Sequence, residues 1–101
     1  MLPRHYAPRT PIEMHPTAAS VAARAAELRA AGERVAGVMV GGAPNPETVP
    51  MPADATGYAA KLYDVLHELD RRGLTRILIE LPPDTDEWMA VRDRLTRASA
   101  R

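Results

Sequence analysis

The 101-residue chain has length for one domain and one core, burying roughly 65% of the surface that the extended chain would expose. Thirteen Lys plus Arg balance thirteen Asp plus Glu, so no long-range field exists to attract a phosphate backbone or anionic lipid, and neither nucleic acid nor membrane is expected as a direct partner. The absence of Cys excludes disulfides, thiol nucleophiles and Cys-based zinc sites together, and the three His lie far apart without a ligand spacing, so no metal site is expected.

The opening stretch PRHYAPRTP (Pro3 to Pro11) carries three prolines and no helical or strand period. PIEMH (Pro11 to His15) has the length of a short strand. Its apolar–charged alternation fits poorly with the position near the sheet centre that the favoured topology gives it. Thr17 then reads as the N-cap of a first helix running to about Ala31, with Val21, Ala25 and Leu28 on one face and Gly32 as the stop. RVAGVMV (Arg34 to Val40) is a nearly unbroken apolar run, the pattern of a strand covered on both faces, and Gly41-Gly42 after it reads as an ordinary turn. APNPETVPMP is mostly loop, with at most a short edge strand over Thr48 to Met51, because Pro50 cannot donate to a central ladder.

Asp54 suits the cap of a second helix, in which Tyr58, Leu62, Leu66 and Leu69 form one stripe that ends at Arg71, Arg72 and Gly73. RILIEL (Arg76 to Leu81) is a second buried-type strand, stopped by Pro82-Pro83. DTDEWMAVRDRLTRA opens with acids suited to a helix N-terminus and sets Trp88, Val91 and Leu95 on one face of a peripheral helix. The expected architecture is β-α-β-β-α-β-α, a small α/β Rossmann-like three-layer domain whose mostly parallel sheet has about four strands. No apolar run is long enough for a membrane span and no signal-type h-region opens the chain, so the expected address is cytoplasmic.

No dinucleotide fingerprint occupies the first strand–helix turn, where HPTAAS stands. The only Lys, Lys61, falls inside a helix, which excludes a Walker loop, and Ser20 and Ser99 have no neighbouring His to serve as base. His15, Thr17 and Ser20 surround the N-terminus of the first helix, whose free N–H groups suit a small anion, with plain capping as the stronger competing reading. Asp84, Asp86 and Glu87 would repel a phosphate at the third helix, His67 reads as a helix-surface residue, and Arg92 and Arg97 read as a solvated face or an interdomain contact.

RHYAPRTP, YAAKLYDVLHELDRRGLTRILIE and AVRDRLTRA together resemble the C-terminal part of two-domain threonylcarbamoyl-AMP synthases, over nearly the whole chain. In that family a linker reading approximately S-P-G-M-K-Y-R-H-Y-A-P joins the catalytic domain to a small Rossmann-like domain and lies across the mouth of the active site. The resemblance places Arg4, His5, Tyr6, Ala7 and Pro8 on that motif, with Met1 on its Met, while Leu2 and Pro3 replace its Lys and Tyr. Tyr58, Ala59, Leu62, Leu66, Leu69, Asp70 and Gly73 also fit the family pattern, whereas Asp86-Glu87-Trp88 stands where the family commonly has G-L-G.

The resemblance implies residues 1–10 as an interdomain-type linker and 11–101 as a non-catalytic accessory domain. The linker would gate the active site of a catalytic domain that is not in this sequence. That catalytic domain, joined in cis or acting in trans, would be the partner. ATP and magnesium would belong to it, with no cofactor in the present chain, and its chemistry would join threonine, bicarbonate and ATP into threonylcarbamoyl-AMP and pyrophosphate during tRNA modification. The competing reading is a stand-alone ligand-binding or protein-interaction module. Self-association stays open under both.

Overall fold

The computed structural model describes residues 8–41 and 48–99. The two apolar runs become the inner strands of a four-stranded parallel sheet. These are β2 (Val35–Val40) and β4 (Arg76–Glu80), flanked by β1 (Ile12–His15) and β3 (Thr48–Met51) in the order β1-β4-β2-β3. The helices α1 (Ala18–Ala30), α2 (Ala55–Asp70) and α3 (Met89–Ser99) complete the expected order of elements. A single 3-10 turn, Asp86–Trp88, leads into α3.

Alternation along the inner strands divides the core. Ala36 and Val38 of β2 and Ile77 and Ile79 of β4 face α2 and α3, where Tyr58, Leu62, Leu66, Leu69, Val91 and Leu95 close over them. On the opposite face Val35 and Leu78 receive Val21, Ala25 and Leu28 of α1. Gly37 sits under that helix, where an added Cβ would lie 3.1 Å from Val21 Cγ1, so the missing side chain lets α1 approach the sheet closely.

Helix ends follow the expected residues. Thr17 and Ser20 form a reciprocal capping box on α1. The Asp54 carboxylate accepts from Gly57 N at 2.7 Å to start α2, and Gly73, at φ 70°, takes the left-handed conformation just after that helix ends. Trp88 is buried and meets Tyr58 edge-on, with ring centroids 5.4 Å apart.

One expectation is corrected. β1 is an edge strand rather than a central one, and its alternation is that of an edge with two different faces. Ile12 and Met14 pack against the larger core cluster, while Glu13 and His15 point to the α1 side. There the Glu13 carboxylate receives Arg24 Nε at 3.0 Å and Arg24 Nη2 at 3.2 Å, and also binds Arg76 Nη1 and, at 3.1 Å, His15 Nε2. Arg76 continues to Glu33 at 3.1 Å and Arg24 to Glu27, so one chain of charges ties β1, α1 and the start of β4 together. The guanidinium of Arg24 is the main reason that the Glu13 carboxyl is held down to about 2. Burial opposes this, and His15 and Arg76 assist.

Two outcomes follow from this packing. Leu66→Ala or Ile77→Ala should each cost on the order of 2 to 5 kcal/mol in urea unfolding, and a loss below about 0.5 kcal/mol would contradict the burial of that side chain. For Glu13, the folded-state pKa lies below the ordinary value of 4.5, so its stabilisation is complete above pH 4.5 and is lost as pH falls toward about 2. Asp70 and Glu33 are also depressed and add to the total slope, so the informative quantity is the stability difference between wild type and Glu13→Gln. That difference should shrink across this window, and a constant difference would rule out the proposed hold on the carboxylate.

Candidate functional site

In a parallel sheet the strand order decides where loops diverge. The chain leaving β1 turns to α1 on one face, while the chain leaving the adjacent β4 turns to α3 on the other, so the C-terminal ends of these strands form a topological switch point. His15, Thr17 and Ser20 lie where β1 passes into α1, and Leu81, Pro82 and Pro83 directly follow β4. Leu81 N donates to His15 O at 2.8 Å and extends the pairing of the two strands.

The polar groups at this switch point are engaged with one another. Ser20 N donates to Thr17 Oγ1 at 3.0 Å and Thr17 N to Ser20 Oγ at 3.2 Å, while the His15 ring is turned to Glu13. Glu80, at the end of β4, accepts from Val40 N of the neighbouring β2 at 2.9 Å. Arg92 reaches from α3 to the Pro82 carbonyl at 2.6 Å, with Asp84 at 3.8 Å, and Arg97 pairs with Asp93 at 3.2 Å. The buried Tyr58 hydroxyl has no hydrogen-bond partner among the described residues, and desolvation, with a smaller contribution from Glu80, pushes its pKa upward. His67 is half-buried rather than fully on the surface, its ring 4.2 Å from Tyr63. The described residues contain no cluster of His, Asp or Glu suited to a metal ion and no helix long and apolar enough to cross a membrane.

At the opposite, N-terminal end of β1, the chain enters the domain. Of the expected linker residues, Arg4, His5, Tyr6 and Ala7 lie outside the described residues, and Pro8 is fully buried. Thr10 is also buried, and it meets the end of α2. Asp70 accepts from Thr10 Oγ1 at 2.8 Å, Thr10 N at 2.9 Å and Arg9 N at 3.1 Å. Burial works against ionisation of this carboxyl, but the Thr10 and Arg9 donors outweigh it and hold the pKa below the usual value. Sequence reading assigned Asp70 no contact. A signal was present, since an aspartate closing a helix opposes the dipole and calls for donors from elsewhere.

No curated protein sequence matches this chain. Among solved structures, the crystal structure of P. abyssi Sua5 complexed with L-threonine superposes with a TM-score of 0.76 at 27% identity, covering 95% of this chain and 30% of that one. A P. abyssi Sua5 variant with an adjacent His and Tyr both changed to Ala gives a TM-score of 0.71 at 26% identity, over 91% of this chain and 28% of that one. The chain therefore spans less than a third of the solved proteins that it matches. Residues 1–100 match the family described as threonylcarbamoyl-AMP synthase, C-terminal domain, and with the parallel α/β fold in agreement, the chain belongs to that family.

Proposed function

We propose that this chain is an accessory domain of a threonylcarbamoyl-AMP synthase and acts on a catalytic domain through the segment that precedes its first strand. The observation that carries this reading is the match of nearly the whole chain to the C-terminal domain family, alongside a structural likeness that spans only 30% of P. abyssi Sua5, which was solved with L-threonine. The synthase chemistry, with ATP and magnesium, then belongs to a catalytic domain outside this sequence, and the cytoplasm is the address that the reading implies.

The sequence of the entry segment suits a cover over a cleft. Pro3, Pro8 and Pro11 restrict the backbone and favour extended conformations, which lowers the ordering cost of lying across another surface. Tyr6 offers an aromatic face with a hydroxyl, and Arg4 or His5 a donor for an anionic group. The solved variant of P. abyssi Sua5 alters a neighbouring His and Tyr, the same pair of residue types as His5 and Tyr6, which supports treating that pair as functional.

The purified chain should show no threonine- and bicarbonate-dependent conversion of ATP to AMP, since its sequence holds no loop to cradle a triphosphate. Threonine-dependent pyrophosphate release from this chain alone would overturn the non-catalytic reading. Joined to a catalytic domain, the triple change of Arg4, His5 and Tyr6 to Ala should lower synthase activity while the melting temperature of the domain stays nearly constant. Equal activity would reject gating, and a large fall in melting temperature would make the segment structural.

A further inference from the structure

An aspartate is an electrostatically costly choice for the last residue of a helix, because it places a negative charge beside the unpaired carbonyls of the final turn. Asp70 occupies that position in α2. Its carboxylate is aimed at a segment 60 residues away, where the backbone N–H groups of Arg9 and Thr10 and the Thr10 hydroxyl converge on its two oxygens. Hydrogen bonds to an ionised acceptor are about twice as strong as neutral ones, and two of these three donors are main-chain groups, so the carboxylate grips the backbone itself.

The neighbouring residues reinforce that grip. Pro8 is fully buried with its φ fixed by the ring, Thr10 is buried at 7% exposure, and Pro11 O accepts from Ile77 N at 2.9 Å to begin the pairing with β4. The chain from Arg9 to Ile12 is thus held by two separate elements before β1 is complete.

We propose that Asp70 is a positioning residue that clamps Arg9 and Thr10 to the end of α2 and thereby holds the base of the linker, Pro8 to Thr10, in a fixed position for engagement with a catalytic domain. The last step rests on the linker reading given above; the clamp itself does not. A cover that must meet a cleft on another domain gains accuracy from a fixed departure point, because each residue freed at its base widens the volume that its tip explores.

Amide hydrogen exchange on the present chain tests the clamp. In Asp70→Ala the Arg9 and Thr10 amides should exchange about tenfold faster, and in Asp70→Asn, which keeps an acceptor but loses the charge, by a smaller factor, with the Leu78 amide unchanged in both. Thr10→Val, which removes only the hydroxyl donor, supplies the same comparison if the Asp70 variants fold poorly. In the joined two-domain enzyme, Asp70→Ala should reduce kcat several-fold with partial recovery in Asp70→Asn. Unchanged exchange at Arg9 and Thr10 overturns the proposal, as does full activity of Asp70→Ala in an enzyme that the Arg4, His5 and Tyr6 triple variant inactivates. Full activity of that triple variant instead overturns the linker reading, and the exchange rates then decide the clamp by themselves.

Discussion

The fold depends on β4 being covered on both faces. Ile77, Leu78 and Ile79 are each completely buried, the two isoleucines under α2 and α3 and the leucine under α1. At roughly 1.5 to 3 kcal/mol for each buried aliphatic side chain, these three consecutive residues commit the strand to a central position and require a helix layer on either side. β1 and β2 then pair with the two edges of β4, and both crossing helices are placed by that choice. A parallel sheet of this kind cannot leave either face to water, so a short sequence spends its few large apolar residues along this line.

The outer strands meet a different constraint. β3 ends the sheet with Pro50 in a position that a central strand could not accept, and β1 ends it with charge. Glu13 lies beside the aliphatic core yet remains ionised because Arg24, Arg76 and His15 surround it. An exposed parallel edge invites pairing with another chain, and an inward-facing carboxylate bound to two guanidinium groups makes that edge a poor template for a further strand. The same charges join α1 to the β1–β4 pair, so solubility of the edge and attachment of the helix come from one cluster.

Polar groups are concentrated at the two ends of the sheet, and their arrangements differ. At the C-terminal end Thr17, Ser20, His15 and Glu80 answer donors and acceptors within their own neighbourhood. At the N-terminal end, Asp70 instead binds a segment from the far end of the sequence. In the accessory-domain reading proposed above, the second end is the one that would face a catalytic domain.

The sequence by itself determined the elements and the family. Apolar runs at Val35–Val40 and Arg76–Glu80, the stripe on α2, and the caps at Thr17 and Asp54 are local patterns, set by side-chain periodicity and by the chemistry of helix ends within a few residues. The family resemblance was legible for the same reason, since RHYAP and the α2 segment are contiguous motifs. Tertiary structure alone decided the strand order, and with it that β1 lies at an edge and that its alternation separates Ile12 and Met14 from Glu13 and His15. It alone also joined Asp70 to Arg9 and Thr10, and Glu13 to Arg24 and Arg76. These partners are separated by 60 or 61, and by 11 or 63 residues, and no periodicity encodes a contact across such distances. A carboxylate in a sequence declares its charge; which donors reach it is fixed only when the crossovers bring distant segments to the same corner of the sheet.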